Sequence, residues 1–283
     1  MKIAICTKHD VFGAIVLNHL IPSLSAHELR VFFSQKTRPG ESAVPELARF
    51  KLLERDLPLH QLFPLVDRTQ EAGRLFTPHQ LARRFQFETH VLNDLQPTGD
   101  GAALYAFEPD VIISVRFSLI FKQPLLDLPP LGVYNLHPGL LPAFGGLFAP
   151  LRQMLSGASR LGCTFHQVDS GIDTGPIVDI SWVPLRQDHC LMQHTAELYL
   201  SGIPLIVKLI HEFNQHQQPV LAPQVVEQRG YYSYPDAEVF RAFKQKGLKL
   251  MDRQAYRELL SLFTPSRLTP ELDDMVDSAF LTS

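Results

Sequence analysis

The sequence predicts an α/β fold with a mostly parallel sheet. Two observations carry this. The chain opens strand, turn, helix, strand, and its strongest apolar runs later in the chain read as further buried strands. The opening run Ile3-Ala4-Ile5-Cys6 is continuous and apolar, as expected of a strand covered on both faces. A polar turn, Thr7–Asp10, precedes a helix over 11–21 that Pro22 is expected to end, and Leu29–Ser34 reads as the second strand.

The middle of the chain alternates less cleanly. Residues 44–56 and 78–95 read as helices, and Leu57–Leu65 is the candidate third strand. A helix over 99–107 precedes the strand Asp110–Val115, and Gly132–His137 is the next strand. A helix over 147–156, strands over 162–168 and 176–183, and a long helix over 189–217, broken near Gly202 and Pro204, complete a main domain of 1–217. From Pro219 the texture changes, with prolines at 219 and 223 opening a linker-like stretch. A small C-terminal annex, 218–283, carries two short helices near 236–246 and 253–262 and a polar, loosely ordered tail over 264–283.

Composition narrows the class. Hydrophobic residues make up 45% and charged residues 19%, the profile of a globular protein with a large core. The net charge of −3 does not favour a polyanionic partner. Cys6, Cys163 and Cys190 lie far apart and form no C-x-x-C pair, so a disulfide framework is not expected and a reducing, cytoplasmic setting is. The apolar start is too short for a membrane span or a signal core.

The chemistry concentrates in Asn135-Leu136-His137-Pro138-Gly139-Leu140-Leu141-Pro142 and Ser170-Gly171-Ile172-Asp173-Thr174-Gly175. An amide, an imidazole and a carboxylate on strand ends are the groups needed to move an acyl unit onto an amine. The attacking amine must be neutral, the carbonyl oxygen gains negative charge and needs a donor, and protons must move between nitrogens. Asn135 and His137 share one face of an extended strand. Asn135 can donate to the oxyanion, His137 can shuttle the proton, and Asp173 can orient the imidazole and a water. Taken alone, each is as readily structural: His137 a turn histidine, Asp173 a turn former. The ordered combination is what singles them out.

Over Pro109–Ile180 this pattern resembles the catalytic core of the 10-formyltetrahydrofolate-dependent formyltransferases, which include glycinamide ribonucleotide, methionyl-tRNA and sugar N-formyltransferases. The resemblance implies a Rossmann-like, mostly parallel sheet with helices on both faces. It places the family's catalytic Asn, His and Asp on Asn135, His137 and Asp173, and its loop proline, which typically follows a cis peptide, on Leu141-Pro142. It implies 10-formyltetrahydrofolate as co-substrate, no metal, and a pterin held by Val115, Arg116, Phe117, Leu119, Leu141, Pro142, Val168, Asp169 and Ile172. Two departures bear on the acceptor. Arg116 stands where many relatives have Gly, and reads either as a contact to folate tail or acceptor or as a surface salt bridge. The turn Thr7–Gly13 lacks the Gly-rich phosphate turn of purine-pathway relatives, which argues against glycinamide ribonucleotide. Lys8 and His9 are solvent-facing or meet the acceptor.

Other features have plainer readings. His189 and His194 flank Cys190, but a five-residue step does not put two imidazoles on one helix face, so no metal is expected. His166 lines the pocket or faces a neighbouring strand. Tyr231-Tyr232-Ser233-Tyr234 stacks on a base or sugar, or clasps the annex to the main domain. Residues 219–283 hold eight Lys/Arg and nine Asp/Glu, without the basic excess that tRNA binding requires.

The expected function is thus transfer of formyl to the primary amine of a small molecule, best a nucleotide-linked amino sugar, with no nucleic acid or membrane partner and a homodimer as the default assembly. The alternatives are methionyl-tRNA formyltransferase, formyltetrahydrofolate hydrolase, and formylation of an amino acid or hydroxylamine intermediate.

Overall fold

The computed structural model describes residues 1–281. Strand β1 (Lys2–Lys8) leads into helix α1 (Val11–Leu24) and strand β2 (Glu28–Ser34). Helix α2 (Pro45–Lys51) runs through wider helical turns at 52–56 and 58–62 into α3 (Phe63–Thr69), followed by α4 (Pro78–Phe85) and β3 (Glu88–Leu92). Next come α5 (Ala102–Phe107), β4 (Val111–Val115), β5 (Val133–His137) and the two-residue β6 (Gly145–Gly146). Helix α6 (Ala149–Ser156), strands β7 (Arg160–Gln167) and β8 (Ile177–Pro184) and helix α7 (Leu191–Asn214) follow. The C-terminal part holds β9 (Tyr231–Tyr232), α8 (Ala237–Gln245), α9 (Arg253–Ser261) and α10 (Thr269–Leu281).

The main sheet has seven strands in the order β3-β2-β1-β4-β5-β7-β8. The first five are parallel, and β7 and β8 are antiparallel to their neighbours. Side-chain alternation splits the core. Ile3, Ile5, Val31, Phe33, Ile113 and Leu136 face α1, α7 and the C-terminal helices, while Ala4, Cys6, Phe32, Ile112 and Val133 face Leu104 and Phe107 of α5. Phe240, Phe243, Tyr256 and Phe263 belong to the first of these cores, so α8 and α9 pack on the main body, and the Tyr256 hydroxyl donates to the Leu53 carbonyl at 2.9 Å. Among the described residues no helix is long and apolar enough to cross a membrane.

Several sequence expectations are corrected. Leu57–Leu65 is helical, because Leu57, Leu62, Phe63 and Val66 are buried along a helix, and a short apolar run does not by itself distinguish the two structures. The third strand is β3, inside the stretch read as helix; α4 stops at Phe85 because Gln86 turns left-handed. β3 is an edge strand with mostly exposed side chains, so it lacks the apolar run that marks a buried strand. Helix α1 continues past Pro22 to Leu24, held by the buried Leu20, Ile21 and Leu24, and α7 passes unbroken through Gly202 and Pro204. The polar tail forms α10, with Leu272, Val276 and Ala279 buried on one stripe.

The chain winds outward from β1 through β2 and β3, then returns to β4 beside β1. The crevice at the carboxyl ends of β1 and β4 is therefore a topological switch point, where open α/β sheets bind ligands. A buried ion network ties it together. Asp10 caps α1, accepting from the Gly13 N–H at 2.8 Å. Arg116, just past β4 at φ +63°, donates from Nε to Asp10 at 2.6 Å and from its terminal nitrogen to Glu54. Lys8 donates to the other Glu54 oxygen at 3.3 Å. The Arg116 guanidinium lies 4.9 Å from the centre of the Phe12 ring. Burial pushes Asp10 up against the pull of Arg116, whereas Glu54 is drawn down because Arg116 and Lys8 together outweigh its burial.

Two stability changes are expected. Arg116→Ala leaves buried Asp10 without its ion-pair partner and Glu54 with Lys8 alone, and should cost about 3–5 kcal/mol in denaturant unfolding, the range for breaking a buried pair. Gly202→Ala should lower stability as well, since a Cβ there would sit 2.4 Å from Leu136 Cδ1 where α7 crosses β5. Overpacking of about 1–3 kcal/mol outweighs the roughly 1 kcal/mol gained in helix propensity; an unchanged or raised melting temperature would contradict this close approach.

Candidate active site

Strand β5 carries Val133, Asn135 and His137 on one face and ends at the mouth of a cavity of about 300 Å³. Asn135, His137 and Asp173 all line it, with Arg116, Phe117, Leu119 and Ile172. Five of the other residues expected around the pterin lie off this wall. Val115 is buried within β4, and Leu141 is buried with its N–H on Thr164 Oγ1 at 3.0 Å. Pro142 follows a cis peptide. The Val168 N–H is committed to the Val133 carbonyl at 2.8 Å, and the Asp169 carboxylate accepts from Gly171 N and Thr174 Oγ1, shaping its own turn.

Hydrogen bonds fix the protonation pattern. His137 Nε2 lies 2.7 Å from the Phe144 carbonyl, which can only accept, so Nε2 carries the proton and Nδ1 is the free base of the neutral ring. Nδ1 faces Asp173 Oδ2 at 3.7 Å. The carbonyl of Phe144, rather than Asp173, therefore sets the tautomer. Asp173 sits at φ +54° and accepts from the Gly146 N–H at 2.8 Å. Burial raises its carboxyl, but His137, the Gly146 N–H, His166 and Arg229 together outweigh burial and hold it below the usual range.

The same reasoning orients Asn135. His166 Nδ1 donates to the Gln167 carbonyl at 2.9 Å, leaving Nε2 to accept from Asn135 Nδ2 at 3.2 Å. The Asn135 oxygen accepts from Ser114 Oγ at 2.9 Å. The amide thus keeps one N–H free of these partners. Burial pushes His166 down, outweighing the pull of Asp173, so it stays neutral. His166 is the register partner of Asn135 across β5 and β7, as Ser114 is across β4 and β5. Nothing in the sequence marks Ser114, Phe144 or Gly146 without the strand pairing and the loop path.

The loop from Pro138 to Phe144 is pinned from below. Gln153 Nε2 reaches the Pro138 carbonyl at 3.2 Å, and Thr164 Oγ1 donates to the Gly139 carbonyl at 2.7 Å. A Cβ at Gly139 would fall 2.6 Å from His137 Nε2, so the close return of this loop requires glycine. The C-terminal part holds the Asp173 loop from above: Gln224 Nε2 donates to the Asp173 and Gly175 carbonyls at 3.1 and 2.7 Å, and Arg229 to the Ile172 carbonyl at 3.0 Å.

Of the two readings for Arg116, the surface salt bridge is revised: its ion pairs lie inside the cavity wall. It lines the cavity, partly buried in the ion network, with the pull of Asp10 and Glu54 overcoming burial to raise it well above its ordinary value. Lys8 is buried too, and His9 stacks on Phe33 with ring centres 4.4 Å apart, so neither is solvent-facing in the simple sense expected. Tyr231 and Tyr232 pair with Gly145 and Gly146, and Tyr234 packs edge-on to Phe148; Tyr231 and Tyr234 also line the cavity.

Comparison with known proteins agrees with this geometry. The family model "Formyl transferase" matches residues 66–198, which contain Asn135, His137 and Asp173. The methionyl-tRNA formyltransferase of Chlamydia caviae is 30% identical over 148 residues, covering 48% of this chain and 46% of that protein. The chain spans about half the length of such curated relatives. Among solved structures, the N-formyltransferase from Helicobacter canadensis, in complex with folinic acid and dTDP-3-aminofucose, aligns with a TM-score of 0.54 at 17% identity, covering 82% of this chain and 71% of that one. Glycinamide ribonucleotide transformylase 1 from Symbiobacterium toebii aligns at 0.53 and 18% identity, covering 80% and 94%. These structures share the fold, and residues 66–198 form a segment similar to the formyl transferase family.

Proposed function

We propose that the protein transfers a formyl group from 10-formyltetrahydrofolate to the primary amine of a small acceptor. The observation that carries this reading is the convergence of Asn135, His137 and Asp173 on one cavity wall, with His137 Nδ1 unprotonated and turned toward Asp173. The neutral acceptor amine attacks the formyl carbon. The free N–H of Asn135 stabilises the oxyanion, and His137 Nδ1 takes the proton released by the attacking nitrogen. Asp173, held ionised 3.7 Å away, stabilises the imidazolium that results. The C–N10 bond then breaks, and N10 leaves with a proton returned by His137. Folate would lie along Phe117, Leu119 and Ile172.

The acceptor is proposed as a small amine, with a nucleotide-linked amino sugar as the leading candidate. The solved N-formyltransferase with dTDP-3-aminofucose supports this reading by analogy of fold, and the tyrosines at the cavity offer rings for a sugar or base. A ribonucleotide phosphate at the head of α1 is disfavoured: the Asp10 carboxylate already accepts from Gly13 N there and would repel an anion. The curated relatives favour a tRNA acceptor as the second reading. The near balance of acidic and basic residues over 219–283 speaks against it. Three buried free thiols fit a reducing, cytoplasmic setting.

His137→Ala should lower kcat by roughly 10²–10⁴ with folate affinity nearly unchanged in a fluorescence titration. Asn135→Ala should cost about 10²–10³ in kcat, the range for one oxyanion donor; full activity in either variant would remove that residue from the mechanism. A panel of amines incubated with 10-formyltetrahydrofolate should show formylation of a small acceptor faster than formate release without acceptor. Formylation of initiator methionyl-tRNA at comparable rate, or acceptor-free formate release alone, would replace the proposal with the tRNA or the hydrolase reading.

A further inference from the structure

We propose that His189, His194 and Glu197 form a site for a zinc-type divalent cation at the head of α7, outside the formyl-transfer centre. Their ligand atoms lie within 4.8 Å of one another. A five-residue step separates two imidazoles only where both ride one helix. In the structure His189 precedes α7, and the loop folds it back over the first turn, where Glu197 supplies a third donor one turn beyond His194.

The hydrogen bonds leave a place for a cation. His194 is fully buried, and its Nε2 lies 3.2 Å from the Arg186 carbonyl, an acceptor only, so Nε2 carries the proton. In the neutral ring Nδ1 is then a lone pair, yet it faces Glu197 Oε2 at 3.1 Å. A lone pair and a carboxylate oxygen at that distance repel unless a proton or metal lies between. His189 Nδ1 is 2.9 Å from Glu197 Oε1 but is buried without a hydrogen bond, so its ring is not aimed at that oxygen. His189 thus has the arrangement of a ligand that aims at a shared centre rather than at its neighbour. Separations of 2.9 and 3.1 Å approach the roughly 3.3 Å expected between donors of a tetrahedral ion bound at about 2.0–2.1 Å.

The Arg186–carbonyl contact is the outer partner that orients a ligating imidazole. The half-exposed Arg186 guanidinium, 3.5 Å from Glu197 Oε1, is the competing cation that the metal would displace. Partial exposure of His189 and Glu197 leaves the fourth position to water. Cys190 is not part of the set, because its sulfur caps α7. The site has a mechanical consequence. Leu191 and Thr195, on the same first turns of α7, line the catalytic cavity, and the Leu191 N–H reaches the Lys249 carbonyl at 2.8 Å. An ion here would lock the loop before α7, the cavity wall and the segment before α9 as one unit.

The test uses the full chain, untagged and stripped with a chelator, titrated with Co²⁺ alone. The expected result is one saturating equivalent with the visible absorption of tetrahedral Co²⁺, displaced by one equivalent of Zn²⁺. His189→Ala and Glu197→Gln, both at partly exposed side chains, should each weaken binding by at least about tenfold while far-UV circular dichroism stays the same. Absence of a saturable equivalent, or binding by both variants equal to the parent, overturns the site. Neither readout uses formyl transfer, so the reading of the catalytic centre stands or falls separately.

Discussion

The hydrogen bond between His137 Nε2 and the Phe144 carbonyl sets the tautomer at the centre of the candidate site. It places the imidazole proton on the nitrogen turned away from Asp173 and leaves the other as a base. A histidine whose proton sat on Nδ1 would donate toward Asp173 and have nothing to offer an attacking amine. The bond exists because the chain, seven residues past His137, returns to within contact of its ring. That return needs a glycine at 139, where any side chain would strike the imidazole, and the two clamps from Gln153 and Thr164 underneath. Phe144 is thus a positioning residue through its backbone alone, and a side-chain substitution there would leave this acceptor in place.

Much of the site was legible before the structure. Asn135 and His137 share a strand face by parity, and the paired motifs marked Asp173 on a turn. What the sequence could not supply was the side of the imidazole that each neighbour occupies, because Phe144, Ser114 and His166 reach the site through strand pairing and loop closure. The fold shows the same division. Continuous apolar runs such as Ile3–Cys6 and Val111–Val115 identified the central strands. The edge strand β3 carries exposed Glu88, Thr89 and Val91 and gave no run to find. Polarity hides the helix of the tail, although Leu272, Val276 and Ala279 follow helical spacing and mark one buried side.

Arg116 illustrates how one side chain changes the use of a shared architecture. The switch-point crevice between β1 and β4 is the natural place for a ligand, and the head of α1 is a natural anion site. Here Asp10 occupies that head, and Arg116, Glu54 and Lys8 close the charges around it. The crevice holds paired charges that already satisfy one another. This wall of the cavity offers paired charges, and another side is aromatic, formed by Phe148, Tyr231 and Tyr234.

Tyr231 and Tyr234 on that side come from the C-terminal part, whose helices α8 and α9 pack into the main core. Tyr231 and Tyr232 add a short parallel pairing to Gly145 and Gly146, and Gly146 is the residue whose N–H holds the Asp173 carboxylate. Gln224 and Arg229 bind the backbone of the same loop. Asp173 therefore owes its left-handed backbone and its orientation to contacts from two sides, β6 below and residues 224–232 above. A carboxylate fixed this way stays 3.7 Å from His137 Nδ1, near enough to favour a charged imidazole and too far to share a hydrogen bond with it. The clasp and this cavity wall are one element, so a shift of Tyr231 and Tyr232 would be felt at the Asp173 carboxylate through Gly146.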